Sequence, residues 1–196
     1  MTELVDLVDA AGTVVRAGVA RDDQERHDGA YLQIIVAVLL DGSGRALVNQ
    51  RGPGKLIAPG RFNHVCGAVR SGEDPEQAAL REVVEETGLA VERLTLLRHG
   101  INSYGRYCYL YAGLVDGEPD ASRTRPAEVG WVGYLSADEL AQVRQQGQAS
   151  FVHDFFEDMA AARAHLLDTE PARPARRSSA AVDTAAPRET EDEDRP

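Results

Sequence analysis

Lysine is all but missing from this chain. Of its 21 basic residues, Lys55 is the only one that is not arginine, and 32 acidic residues leave a net charge of -11. A nucleic-acid surface needs a basic stripe to displace phosphate counterions, so this balance speaks against a nucleic-acid partner. Cysteine is scarce as well. Cys66 and Cys108 have no metal-type spacing and form no framework, which fits a reducing compartment but leaves a disulfide between them open. The longest strongly apolar run, Ile34 to Leu40, is far too short to span a bilayer, and the N-terminal MTELVDLVDA is acidic where a signal peptide would be basic and then apolar. The expectation is a cytoplasmic protein without a membrane partner. With 196 residues, 43% apolar content and only 6% aromatics, the chain can build one good-sized domain but hardly two.

What the chain does have is an unusual concentration of fixed-spacing residues between Gly67 and Leu89, GAVRSGEDPEQAALREVVEETGL. Asp74 can cap a helix whose first position suits Pro75, Gln77 can complete a capping box, and Gly88 supplies a left-handed stop after about Thr87. Within that helix Glu82, Glu85 and Glu86 stand at i, i+3 and i+4, so their carboxylates share a face. Ala79, Leu80, Val83 and Val84 fall largely on the other side and are expected to be the buried one. Like charges at this spacing repel by a few tenths of a kcal/mol per pair, and a divalent cation between them reverses the sign. Oxygen-only ligation suits Mg2+, or Mn2+, better than Zn2+, for which His or Cys would be expected. Taken alone, such a cluster is most often a solvated acidic face.

It does not stand alone. Gly67, Glu73, Arg81, Glu82, Val83, Glu85, Glu86, Gly88 and Leu89 fill every fixed position of the pattern G-x5-E-x7-R-E-U-x-E-E-x-G-U, where U is a bulky aliphatic. This run resembles the box of the Nudix hydrolases. The resemblance implies an α/β fold, the Nudix α/β/α sandwich around a mixed β-sheet, over residues 1–167. It implies hydrolysis of a diphosphate linkage in a nucleoside diphosphate derivative or other organic diphosphate. It further implies a metal held by Glu82, Glu85, Glu86 and the Gly67 carbonyl, with Glu73 and Arg81 paired to hold the loop and aim Glu82.

The flanking chain reads as a hairpin over 4–20, a strand pair over 32–40 and 46–50, and a Gly/Pro-rich loop over 51–62. A short strand follows over 64–69, then the box helix. Strands are expected over 90–98, 104–114 and 128–132, a helix capped by Ser136, and a last helix over 151–167. The Phe151, Phe155, Met159, Ala162 stripe of that last helix serves a core or a dimer contact. Residues 168–196 hold four Pro, eight acidic and five basic residues and almost nothing to bury, which predicts a disordered tail.

Arg51, Lys55 and Arg61 surround the Gly/Pro loop and could clamp phosphate oxygens of a small-molecule substrate. The general base could be one of the box glutamates or Glu128. The layout before the box also resembles the isopentenyl diphosphate isomerase-like branch, with Cys66 at the place of that isomerase's catalytic cysteine. Its companion groups are absent here, because Ala68, Tyr104 and Arg106 stand where a His and glutamates would be, so Cys66 reads first as a small buried strand residue. A non-catalytic nucleotide sensor is the third reading, disfavoured by the intact box. Truncation after Leu167 is expected to leave the melting temperature and turnover nearly unchanged; a large loss of either, measured by calorimetry and phosphate release, would show that the tail packs or acts.

Overall fold

The computed structural model describes residues 2–26, 29–55, 57–147 and 151–168, so the tail expectation lies outside the described residues. Strands β1 (Leu4–Val8) and β2 (Val14–Ala20) form an N-terminal hairpin. Its turn is tied by the Asp9 carboxylate, which accepts from the amides of Ala11 and Thr13 at 2.9 Å each. A 3-10 turn, Arg21–Arg26, leads to β3 (Tyr31–Leu40), which organises everything else. One edge of β3 takes β8 (Tyr107–Leu114) in parallel, from Gln33 opposite Tyr107 to Leu40 opposite Leu114. The other edge is shared in succession by β1 at Tyr31 and Leu32, by β6 (Val65–Ala68) at Ile34 to Ala37, and by β4 (Ala46–Arg51) at Leu39 and Leu40. Strand β4 goes on to pair with β5 (Phe62–Asn63) and β9 (Val129–Leu135), and β7 (Thr95–Ile101) closes against β8.

This position explains why β3 is an unbroken apolar run rather than an alternating one: both faces of the strand are buried. Ile35, Ala37 and Leu39 pack with Ala78, Ala79 and Val83 of helix α1 (Pro75–Thr87). Val36, Val38 and Leu40 face the opposite way, onto Leu140 of α2 (Ala137–Gln145) and Phe155, Met159 and Ala162 of α3 (Phe155–Asp168). The result is the expected α/β/α sandwich around a mixed sheet. Helix α2 carries a full capping box between Ser136 and Glu139. Among the described residues no helix is long and apolar enough to cross a membrane.

Three expectations need correction. The strand expected over 90–98 begins only at Thr95, because Val91 and Leu94 turn in to cover the α1 core. The strand expected over 104–114 begins only at Tyr107, whereas the one expected over 64–69 is found at Val65–Ala68, parted from β5 by His64. The last helix begins at Phe155 rather than 151: Phe151 instead forms an isolated bridge to Phe62, and the amide of Val152 donates to the Phe62 carbonyl at 3.0 Å. The Phe151, Phe155, Met159 and Ala162 stripe is nonetheless entirely buried; it belongs to the core.

His64 explains the break. Its ring is fully buried, lies 4.1 Å from and nearly parallel to the Phe155 ring, and its Nε2 stands 3.0 Å from the Phe155 carbonyl oxygen. Burial drives its pKa down from 6.5 to about 4, against the pull of that carbonyl. The folded ring is therefore neutral where an unfolded one would take a proton. Its contribution is fully present above pH 6.5 and is lost as pH falls through 6.5 toward 4, a difference of about 3 kcal/mol. Replacing His64 with Phe, which keeps the aromatic stack but cannot titrate, is expected to flatten the loss of stability over that interval in urea titrations. An acid limb as steep as that of the wild type would contradict the assignment.

Candidate active site

The loop that opens the box is held from the N-terminal hairpin. The Ser71 amide donates to the Leu4 carbonyl at 2.8 Å. The buried Asp6 carboxylate accepts from the Ser71 hydroxyl and from the amides of Gly72 at 2.9 Å and Gly18 at 2.8 Å. Burial pushes the Asp6 carboxyl up, but these three donors outweigh it and hold it below the usual range. The loop then enters α1 through Asp74, whose side chain accepts from the amides of Glu76 at 2.9 Å and Gln77 at 3.3 Å, and the helix stops at Gly88 with φ 74°.

The inner side of α1 differs from expectation. Ala78, Ala79 and Val83 are buried, but so are Glu82 and Glu86, whereas Val84 is exposed. The buried stripe runs through 78, 79, 82, 83, 86 and 87, and two carboxylates lie in it because polar partners meet them there. The Glu86 Oε2 accepts from Asn49 Nδ2 at 2.7 Å and from the Cys66 amide at 3.1 Å, while its Oε1 lies 4.0 Å from Lys55 Nζ. Gly67 leaves the space for Glu82, since a Cβ there would overlap the Glu82 carboxyl.

Arg81 grips Glu73 with both ends of its guanidinium, Nε to Oε1 and Nη2 to Oε2 at 2.8 Å each, and Nη2 also donates to the Ala68 carbonyl at 3.0 Å. Its remaining nitrogen, Nη1, lies 2.5 Å from Glu82 Oε1 and 3.6 Å from Glu85 Oε1. Glu85 is half-exposed and also takes Arg70 Nη2 at 3.2 Å. Lys55 donates to Glu128 Oε2 at 3.0 Å, and Arg125 to Glu128 Oε1 at 3.1 Å.

These buried carboxylates are short of positive charge. Burial, and then the neighbouring Glu82, push Glu86 up to about 8 despite Lys55. Glu82 is raised by burial in spite of Arg81. For Glu128 burial is outweighed by Lys55 and Arg125, which hold it below its ordinary value. As the side chains stand, no three His, Cys, Asp or Glu among the described residues are gathered around a metal position. The donor set nevertheless fits a hard divalent cation: every candidate ligand is an oxygen, and Glu82 and Glu85 both point at one guanidinium nitrogen of Arg81, a cation already standing between them.

A cavity of about 1130 Å³ opens on the α3 side of the sheet, across the strands from α1. At one end stand Gly67, Cys66, Lys55, Arg51 and Glu128; its floor is Ile34, Val36, Cys108 and Leu110; at the far end are Arg98, His153, Asp154 and Asp158. The lining stops at Gly67 and Lys55, with Glu86 directly behind them. Of the three expected phosphate clamps, Lys55 and Arg51 reach the cavity, the latter with its Nε donating to the Ile57 carbonyl at 2.8 Å. Arg61 does not: it turns toward the Phe151 carbonyl, 3.4 Å from its Nη1.

Cys66 and Cys108 are free thiols, which closes the disulfide question. They sit on opposite edges of β3, Cys66 beside Val36 and Cys108 beside Ile34. Burial, then Glu86, pushes Cys66 up to about 12, and Cys108 is likewise raised. Tyr104 and Arg106 stand in the β7–β8 turn rather than on a strand, and both line the cavity. Sequence reasoning missed Asp6, Asn49 and the ion pairs of Arg98 with Glu157 and Asp158, at 2.6 Å each. Only Asn49 carried a signal, a polar side chain inside an apolar strand.

The NUDIX domain model matches residues 31–155. An isopentenyl-diphosphate Delta-isomerase of Streptomyces coelicolor is 31% identical over 154 residues, covering 73% of this chain and 76% of that protein. An RNA pyrophosphohydrolase of Dinoroseobacter shibae is 43% identical over 67 residues, 34% of this chain and 40% of the relative, so the match spans less than half of that enzyme. Among solved structures, DR0079 from Deinococcus radiodurans superposes with a TM-score of 0.65 at 23% identity, over 82% of this chain and 99% of that one. The chain belongs to the Nudix hydrolase family.

Glu73 touches nothing in the cavity and acts on the box through Arg81. If the box holds a divalent cation, converting Glu73 to Gln should leave the fold intact while lowering that affinity by about 10–100-fold, as for other residues that orient ligands; calorimetric titration with Mg2+ as the probe measures it, and an unchanged affinity would refute the role.

Proposed function

We propose that this protein hydrolyses a diphosphate linkage in a nucleoside diphosphate derivative or another organic diphosphate, with Mg2+, or Mn2+ in its place. The observation that carries this reading is the pair of buried box carboxylates, Glu82 and Glu86, placed against Gly67 and Lys55 at the end of a large cavity. Glu82, Glu85, Glu86 and the Gly67 carbonyl would hold the cation, which when bound neutralises charge on the phosphoryl oxygens and lowers the pKa of a bound water. Lys55 and Arg51 would fix the phosphate oxygens at the same end. Glu128, ionised at neutral pH and joined to Lys55, would accept the proton of the attacking water, as would any box glutamate free of the cation. The similarity to an RNA pyrophosphohydrolase over 67 residues supports hydrolysis.

The second reading, isomerisation of a prenyl diphosphate through Cys66, is favoured by two observations. Both thiols line the cavity, and relatives named isopentenyl-diphosphate Delta-isomerase cover about three quarters of their length. Against it, the Cys66 thiol is pushed up to about 12, and Ala68, Tyr104 and Arg106 offer no carboxylate to work opposite it.

Replacing Glu85 or Glu86 with Gln is expected to reduce Mg2+-dependent phosphate release by on the order of 10²-fold or more while the fold persists; full turnover in either variant would sink the ligand assignment. Cys66→Ala should keep most hydrolysis. If it loses turnover by orders of magnitude at unchanged stability, or if the wild type interconverts isopentenyl and dimethylallyl diphosphate, the isomerase reading takes over.

A further inference from the structure

Lys55 occupies a position out of proportion to its kind. It is the single lysine among 21 basic residues, it is largely shielded from solvent, and its ammonium stands between two carboxylates from distant parts of the chain, 3.0 Å from Glu128 and 4.0 Å from Glu86. It also lines the cavity, so it faces both the acidic helix and the space where a substrate would lie. An ammonium is a compact charge on a flexible four-carbon stem, able to swing several ångströms without unfolding its surroundings. Arginine at the same place would be a planar fork committed to one geometry.

Glu86 and Glu128 are the two carboxylates that its ammonium faces. Glu86 is buried with Asn49 and the Cys66 amide as neutral hydrogen-bond donors, and its ion-pair partner is Lys55 at 4.0 Å. Arg81 plays the matching part for Glu82 and Glu85, but its other nitrogens are locked on Glu73 and Ala68. Lys55 is the mobile member of the pair.

We propose that Lys55 is an exchangeable partner: it is held between Glu86 and Glu128 in the metal-free protein and would turn toward the cavity where a divalent cation occupied Glu86, bringing its ammonium to the substrate's phosphate oxygens. This rests on the metal assignment made above and adds to it an order of events. Metal and lysine compete for Glu86, so metal loading and phosphate-site readiness are coupled through one side chain.

The experiment uses the full chain labelled with 13C and 15N lysine, which yields one side-chain signal because there is one lysine. Titration with Mg2+ alone, with no substrate, is expected to shift that signal along the same saturation curve that calorimetry gives for Mg2+ binding. Lys55→Gln should bind Mg2+ about three- to tenfold more tightly, since a competing positive charge is gone, and should show a larger Mg2+-induced rise in melting temperature than the wild type. Glu86→Gln, which removes the carboxylate that the cation would occupy, should move the lysine signal in the metal-free protein toward its metal-bound position. If calorimetry detects Mg2+ but the lysine signal stays still, or if Lys55→Gln lowers stability equally with and without Mg2+, the exchange is wrong while the metal site stands. If the wild type binds no Mg2+ at all, both readings fall. The wild-type signal decides the matter even if the glutamine variant does not fold.

Discussion

Two carboxylates buried on the inner side of one helix are the constraint around which this molecule is arranged. Removing an ionised carboxylate from water costs several kcal/mol unless charge and hydrogen bonds replace the lost solvent. Glu82 and Glu86 sit one turn apart on α1, so the same burial is incurred twice with mutual repulsion added. The surroundings answer with Arg81 on one side and Lys55 on the other, with Asn49 and the Cys66 amide completing the shell of Glu86. Gly67 contributes by having no Cβ. A helix with two carboxylates among its six buried residues adds less apolar area to the core than a fully aliphatic one would. The deficit is met on the far side of the sheet, where Phe151, Phe155 and Phe156 stack together over β3 and β8.

The sheet supplies the geometry that makes this answer stable. Strand β3 carries β6 on one edge and β8 on the other, so Cys66, Gly67 and Cys108 are fixed to the most deeply buried strand of the protein. The carboxylates of α1 approach through β6, and the cavity opens on the opposite face of the same strands. That places the charged end of the cavity on rigid elements and its far end on the β7–β8 turn and the start of α3. Rigid support is what a site needs where reacting groups must be held closely.

Much of this was legible in the chain. The limits of α1 follow from Asp74, Pro75 and Gly88, each of which acts locally, and the double burial of β3 follows from an apolar run without alternation. The strand pairs and the α2 cap are local in the same way. What was hidden depends on long-range partners. Nothing within a turn of Glu82 or Glu86 announces that they point inward, and by periodicity alone Val84 is the better core residue. Phe151 fits a helical stripe by spacing, yet Phe62, distant in sequence, draws it into a bridge before the helix begins. Arg61 lies in the same Gly/Pro-rich loop as Lys55 but turns toward the Phe151 carbonyl. The loop at 98–105 reaches the cavity, whereas the one at 117–126 caps the end of α1, where the Asp120 amide donates to the Thr87 carbonyl; composition treats the two alike.

The N-terminal hairpin shows how far the site extends beyond its own signature. Residues 31–155 match the family, yet the loop between β6 and α1 is bonded to residues outside that span, Leu4 and Asp6, the latter held in turn by the Gly18 amide. Arg70 carries the connection inward: its Nε lies 3.4 Å from Glu3 and its Nη2 3.2 Å from Glu85. One guanidinium thus joins the hairpin to the most exposed of the three box glutamates. A change in the hairpin that moved Glu3 would reach Glu85 through Arg70 without touching any residue of the box pattern.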